Sequence, residues 1–153
     1  MTQTDSANRE IVLTRTFDAP RELVFDAYTD ARHLDEWWGP RGFATTTHEI
    51  DVRVGGSWRF DMLGPDGTHY PNRIVYTEIA RPERLAYDHD TGVDDDPRRF
   101  HVTVTFADLG GRTELTSRML LATAEQREQV VGFGAIELGY QTLDRFAEHL
   151  ASR

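Results

Sequence analysis

The stretch 123–150 constrains the fold most, because its apolar residues follow the period of an α-helix. Thr123 and Gln126 form a helix start of the capping-box type. The apolar residues that recur at three- and four-residue steps are Phe133, Ile136, Tyr140, Leu143, Ala147 and Leu150. This spacing predicts one helix with a single apolar stripe. At 1.5 Å per residue such a helix is roughly 40 Å long, enough to cross a small domain.

Three glycines interrupt the predicted helix, at Gly132, Gly134 and Gly139. Each costs about 1 kcal/mol relative to alanine in a helix interior. They indicate close approach of another backbone, or space kept for another molecule. A kinked helix start explains Gly132 and Gly134 equally well.

Most of the chain before this helix is predicted to form β-strands. Alternation predicts a first strand over 9–17, followed by two short helices that begin at Asp18-Ala19-Pro20 and at Thr29-Asp30. Asp18 is the expected cap of the first helix. Six further strands are predicted over 45–54, 57–63, 69–80, 84–89, 99–107 and 113–121.

This order of elements predicts an α+β fold of the helix-grip kind. An antiparallel sheet of about six or seven strands must hold the long helix in its concave side, because the helix has one apolar stripe to bury. The two short helices after the first strand are expected to support one end of the sheet. Such an arrangement often leaves a cavity between sheet and helix, and we expect the function to reside there.

Composition and length fit a single domain without a membrane anchor. We predict a disordered tail over 1–8 and one domain over 9–153 of the 153 residues. No apolar run or signal-peptide pattern is visible, so we expect a cytoplasmic protein. The net charge of −9 argues against nucleic-acid partners and against docking on anionic membranes.

Missing residue types narrow the chemistry further. The chain has no cysteine, which excludes disulfides and thiolate chemistry, and no lysine, which excludes Schiff bases. The six histidines lack metal-binding spacing, so we expect no metal and no cofactor. No serine lies in a nucleophile elbow. An enzyme would have to use acid–base chemistry by Tyr, His or Glu, so we favour a protein without catalytic activity.

Several segments resemble one protein family. They are FDAPRELVF at 17–25, HL at 33–34, WWGP at 37–40, GGSWRF at 55–60, GPDG at 64–67, YPNR at 70–73, Tyr76, EI at 78–79, PERL at 82–85 and the helix end at 139–150. Together they resemble bacterial proteins similar to the C-terminal domain of the activator of the ninety-kilodalton heat-shock protein ATPase. That family belongs to the START-like, or SRPBCC, superfamily of helix-grip folds.

The resemblance implies a fold first and a function only broadly. START-like proteins include lipid and sterol carriers and aromatase/cyclases, which share a deep cavity between sheet and long helix. The family name also implies a chaperone partner and a role in stress response. Fold alone does not fix function, so the site has to be argued from its residues.

The candidate ligand-binding residues are mainly aromatic side chains on segments that could face the cavity. They are Trp37, Trp38, Trp58, Phe60, Met62, Tyr70, Tyr76, Tyr87, His89, Phe100, Met119, Phe133 and Tyr140. A cavity lined by aromatic side chains of this kind suits small hydrophobic or amphipathic ligands. The alternative is that the rings only fill the core, which is the favoured interpretation for Phe60 and Phe100.

The candidate polar anchors are Arg73, Glu78 and Arg118. A buried pair of Glu78 with an arginine could hold the polar end of a ligand. The favoured alternative places these residues on the solvent face of the strands. Alternation puts Tyr76 and Glu78 on the face opposite Arg73, so both faces can point inward only if a bulge intervenes.

We therefore predict binding of a small hydrophobic or aromatic ligand, lipid- or polyketide-like, between sheet and helix. A chaperone-regulating interaction module is the alternative, and a cofactor-free cyclase or hydrolase is the third. The expected partners are a small hydrophobic molecule and, for the alternative, a chaperone. Monomer and homodimer are both compatible with the sequence.

Overall fold

The computed structural model of the chain describes residues 8–152. The first seven residues of the predicted 1–8 tail therefore lie outside the described part. The strands are β1 (Glu10–Phe17), β2 (Ala44–Ile50), β3 (Ser57–Leu63), β4 (His69–Ala80), β5 (Arg84–Asp90), β6 (Phe100–Asp108) and β7 (Thr113–Leu120). The helices that pack with them are α1 (Arg21–Thr29), α2 (Ala31–Trp37), α3 (Ala124–Gly132) and α4 (Ala135–Ala151).

The strands form one curved antiparallel sheet with the order β1-β7-β6-β5-β4-β3-β2. Neighbours from β2 to β7 are consecutive in the chain, as expected for short turns. β1 pairs with β7 at the opposite edge, so α1 and α2 carry the chain from one edge of the sheet to the other. The predicted α+β helix-grip fold, with two short helices after the first strand, is confirmed.

Two of the three expected helix caps are present. The Asp30 carboxylate accepts a hydrogen bond from Arg32 N at 2.9 Å and begins α2, and Thr123 Oγ1 accepts one from Gln126 N at 3.0 Å and begins α3. The prediction for Asp18 is wrong. Pro20 occupies the cap position of α1 without a side-chain hydrogen bond.

The prediction of one continuous helix over 123–150 is also wrong. The helix breaks at residues 133–134, where Gly134 adopts a left-handed φ of 89°. No residue of α3 is buried, and the Phe133 side chain is 85% exposed. The break leaves α4 as the helix that the sheet encloses.

The C-terminal half of α4 is anchored by an aromatic stack. The Phe146 ring lies parallel to the Trp37 ring, with centroids 3.8 Å apart and planes at 5°. The Phe17 ring of β1 also packs against the Phe146 ring, with centroids 4.9 Å apart. Leu143 and Leu150 are buried on the same side of the helix. Phe146 is thus the centre of the buried stripe, a position that the predicted stripe omitted.

Two neighbouring glycines test the importance of the helix break. Gly134→Ala should lower the free energy of unfolding by about 1–2 kcal/mol, because a Cβ is strained in the left-handed region. Gly132→Ala should leave it unchanged or raise it by up to about 1 kcal/mol, since nothing lies within 4 Å of an added Cβ there. Urea unfolding of both variants measures this. Equal effects at the two positions would contradict the described break.

Candidate functional site

A cavity of about 360 Å³ lies between the inner face of the sheet and the N-terminal half of α4. The described residues on its wall are Leu13, Tyr28, Trp37, Trp38, Gly39, Pro40, Met62, Tyr87, His89, Phe100, Val102, Leu115, Ser117, Met119, Ala135, Leu138, Gly139, Thr142 and Leu143. None of these side chains is an arginine, aspartate or glutamate. The wall is therefore mostly apolar, with a few neutral polar groups.

Strand alternation explains how the sheet supplies its part of the wall. Side chains two residues apart point to the same face of a strand. The inward positions on the wall are Tyr87 and His89 of β5, Phe100 and Val102 of β6, and Leu115, Ser117 and Met119 of β7. The cavity is thus formed by the middle of the sheet.

The helix comes close to the sheet at one glycine. A Cβ at Gly139 of α4 would overlap the Leu13 side chain of β1. The predicted close approach therefore occurs at Gly139, whereas Gly134 provides the break and Gly132 faces open space. Beside this contact, Ala135 and Thr142 leave room between helix and sheet.

Aromatic rings stack behind one side of the cavity. Trp38 lies on the wall and packs edge-on against Trp58, with centroids 5.0 Å apart. Trp58 is in turn stacked on Phe60 at 3.9 Å. Both rings of this second layer are buried. Trp58 and Phe60 are therefore core residues that lie behind the wall and support Trp38.

Arg145 of α4 holds the loop 38–43, which contributes Trp38, Gly39 and Pro40 to the cavity wall. Its guanidinium donates to the carbonyl oxygens of Glu36, Trp38, Gly39, Pro40 and Phe43, at 2.9–3.3 Å. Burial lowers the pKa of this guanidinium from its usual range. Because its N–H groups donate to backbone carbonyl oxygens, Arg145 fixes the loop 38–43 against the helix.

Two tyrosine hydroxyls meet at the wall. Tyr28 Oη and Tyr87 Oη are 2.8 Å apart and share a hydrogen bond. Burial raises the pKa of Tyr28 to about 12 and raises the pKa of Tyr87 well above its usual value. Both phenols are therefore neutral at pH 7. One donates to the other, which leaves the second hydroxyl hydrogen available.

His89 is the remaining polar ring on the wall, half-buried among aromatic side chains. Its centroid lies 4.9 Å from that of Phe100 and 6.4 Å from that of Trp38. Its Nε2 lies 2.8 Å from Asn72 Oδ1. Burial lowers the pKa of the imidazole to about 4, against a weaker opposite effect of Asp90. His89 is thus neutral at physiological pH.

The structure divides the thirteen predicted ligand-binding residues into three groups. Trp37, Trp38, Met62, Tyr87, His89, Phe100 and Met119 lie together on the wall. Trp58, Phe60 and Tyr76 are buried outside it, in the core. Tyr70, Phe133 and Tyr140 are exposed and do not line the cavity.

Six of the predicted residues therefore do not line this cavity, each for a physical reason. Trp58, Phe60 and Tyr76 face inward but are covered by other core side chains. Tyr70 lies at the start of β4 against Phe43. Phe133 follows the end of α3, and the Tyr140 hydroxyl turns to β1, where Thr14 N donates to it at 3.4 Å.

The three predicted polar anchors also lie away from the cavity. Arg73 is buried next to the inward-facing Ile74, so it points to the other face, and it donates through Nε and Nη2 to Asp90 at 2.9 Å. Glu78 follows a register shift in β4 and pairs with Arg84 near solvent. Arg118 pairs with Glu10 at 3.3 Å, also near solvent.

Several wall residues are absent from the predicted set, although the strand period indicates the cavity face for some of them. Ser117 alternates with Leu115 and Met119, so strand period alone indicates the cavity face. Tyr28 lies on the apolar side of α1, where no pattern separates a wall residue from a core residue. The wall positions on α4 were not predicted, because the prediction assumed one unbroken helix over 123–150.

The described residues contain neither a metal-binding cluster nor a membrane-spanning helix. Over 8–152, no group of three or more His, Cys, Asp or Glu side chains could hold a metal ion. In the same range, no helix is long and apolar enough to cross a membrane.

The depressed pKa of His89 predicts a specific pH dependence. In the unfolded chain the imidazole titrates near 6.5, and in the folded protein near 4. Between these values the unfolded chain binds a proton that the folded protein does not, so stability falls as pH is lowered. The loss of stability from pH 7 to pH 4 should be about 2 kcal/mol. This is less than the full value of about 1.4 kcal/mol for each unit of the pKa difference, because the ring is only half-buried.

Comparison with His89→Gln isolates this contribution, since the other titrating groups are shared. The wild-type free energy of unfolding minus that of the variant should decrease by this amount between pH 7 and pH 4. Denaturant unfolding at several pH values measures it. A difference that does not change with pH would show that His89 is not held neutral.

A family model described as activator of Hsp90 ATPase homolog 1-like protein matches residues 18–151. A search of curated proteins finds none that matches the sequence.

Solved structures share the architecture. A protein from Arthrobacter aurescens has 26% identity and a TM-score of 0.89, with 97% of this chain and 90% of that chain covered. A protein from Mycobacterium smegmatis has 27% identity and a TM-score of 0.82, with 94% and 91% covered. An HSP90 activator from Plasmodium falciparum has 24% identity and a TM-score of 0.56, with 74% and 73% covered, a likeness that concerns the fold alone.

Proposed function

The chain belongs to the activator of Hsp90 ATPase homolog 1-like family, and from that premise we propose that it binds a small hydrophobic or aromatic molecule in the cavity beneath α4. The observation that carries the proposal is the cavity of about 360 Å³ with its mainly apolar wall. Clefts of about 300–1,000 Å³ with few polar groups are typical of small-molecule sites. The volume lies at the lower end of this range, which favours a compact ring system over a long-chain lipid.

The protonation states of the wall favour binding over catalysis. A general base works best with a pKa near the working pH. The pKa of His89 is about 4, which makes the imidazole a weak base, and the raised pKa of Tyr28 makes its phenol a weak acid. We therefore propose a binding protein, located in the cytoplasm, in which these groups orient a ligand.

A thermal-shift screen tests the proposal, using sterols, fatty acids and aromatic polyketides. We expect the aromatic compounds to raise the melting temperature of the wild type. Ser117→Phe should abolish the effect, because it places a ring in the cavity. Thr116→Phe is the matched control, since the neighbouring residue points to the other face of β7 and adds the same bulk outside. No stabilisation by any compound would contradict the proposal.

Regulation of a chaperone ATPase in a stress response is the second candidate. It is favoured by the family to which the chain belongs and by the net charge of −9, which would steer the protein toward a basic surface. A pull-down with a bacterial Hsp90 homologue and an ATPase assay test it. We expect salt-sensitive binding at micromolar concentrations and a changed rate of ATP hydrolysis. Absence of binding at those concentrations would eliminate this candidate.

A further inference from the structure

We propose that His89 Nδ1 is the specificity-determining acceptor of the cavity, and that it selects neutral ligands that carry a hydroxyl or N–H donor. This inference rests on the proposed binding function and specifies the chemistry of the ligand. It depends on three features of the site: the tautomer of His89, the accessibility of Nδ1 and the absence of a cation on the described wall.

The tautomer follows from a chain of hydrogen bonds that leads back to a backbone carbonyl. Asn72 Nδ2 lies 2.9 Å from the carbonyl oxygen of Tyr70. Because a carbonyl oxygen only accepts, the amide must present its NH₂ group there. Its Oδ1 then faces His89 Nε2 at 2.8 Å and can only accept. His89 Nε2 therefore carries the hydrogen, and Nδ1 of the neutral ring has a free lone pair.

The position of Nδ1 follows from what surrounds the ring. Among residues 8–152, Nδ1 has no hydrogen-bond partner. Among the side-chain nitrogen and oxygen atoms of residues 8–152, Arg21 Nε is both fully enclosed and without a hydrogen-bond partner, and His89 Nδ1 is not in that class. Because Nδ1 has no partner, it must have some exposed surface. Trp38, Phe60 and Phe100 cover other sides of the ring. The open space beside the ring is the cavity, since His89 forms part of its wall.

The charges around the site disfavour an anionic ligand. Arg73 and Arg99 both form salt bridges with the neighbouring Asp90 carboxylate. Both arginines therefore lie outside the cavity, paired with this carboxylate. The Arg145 guanidinium donates to carbonyl oxygens of the loop 38–43. A carboxylate in the cavity would lose its water without gaining a cation, which is strongly unfavourable. The low pKa of His89 also keeps the imidazole from providing that charge.

Ser117 is the competing polar group, and it supplies a matched control. Its hydroxyl lies on the wall, and within residues 8–152 no hydrogen bond involves it. A ligand hydroxyl could be recognised there instead of at His89. Substitution of each residue in turn distinguishes the two positions.

The experiment measures dissociation constants of 2-naphthol, 2-methoxynaphthalene and 2-naphthoate by fluorescence titration. For the wild type we expect both neutral probes to bind, and 2-naphthoate to bind more weakly than either. In His89→Phe, 2-naphthol should bind about tenfold more weakly, because its hydroxyl is buried without an acceptor. Binding of 2-methoxynaphthalene should change less than twofold, which also shows that the variant is folded. Ser117→Ala should weaken 2-naphthol binding less than His89→Phe does. Thr116→Ala, whose side chain lies on the outer face of β7, should leave the binding of every probe within twofold of the wild type.

Nitrogen-15 NMR of the wild type provides a second readout that needs no variant. His89 should show the Nε2–H tautomer, and 2-naphthol should move the Nδ1 resonance toward that of a protonated nitrogen. The methoxy probe should leave it in place. Loss of selectivity in Ser117→Ala, or unchanged 2-naphthol binding in His89→Phe, would overturn this inference while the proposed function stands. If none of the probes binds, this inference fails, and the thermal-shift screen decides the proposed binding function separately.

Discussion

The stack of Phe146 on Trp37 is the interaction on which the rest of the structure depends. It fixes the C-terminal half of α4 against α2 and β1, with ring centroids 3.8 Å apart. The other half of the helix touches the sheet at Gly139, where the absence of a side chain allows contact with Leu13. Anchoring at one end and a glycine contact in the middle leave the space between Ala135, Thr142 and the sheet unfilled. The cavity is a consequence of this uneven packing.

The polar groups of the cavity share one property, which is that they are neutral. Burial raises the pKa values of Tyr28 and Tyr87 and lowers that of His89, so each ring is uncharged at pH 7. The charged side chains nearby are bound elsewhere, Arg145 by backbone carbonyls and Arg73 by Asp90. The proposed ligand would therefore be recognised by its shape and by neutral hydrogen bonds, and not by charge.

Periodic patterns predicted the fold well, because strand alternation and short turns act locally. The bounds of β3 and β4 agree with the predicted 57–63 and 69–80. The helix break was not predicted, because a glycine in a helical pattern does not reveal its φ. That error misplaced Phe133 and Tyr140. Separately, the predicted stripe contained Ala147 in place of the buried Phe146. Part of the cavity wall was predictable from inward-facing aromatic residues. Whether a ring lines the cavity or lies behind it, as Trp58 does, depends on packing between distant segments.

The account rests on the presence of an unfilled, mainly apolar space beneath the N-terminal half of α4. A crystal structure determined under xenon pressure tests this most directly, because xenon occupies dry apolar cavities. We expect a xenon atom among Leu13, Leu143 and Met119, with the surrounding side chains unmoved. A structure in which these side chains meet and no xenon binds between sheet and helix would contradict the account.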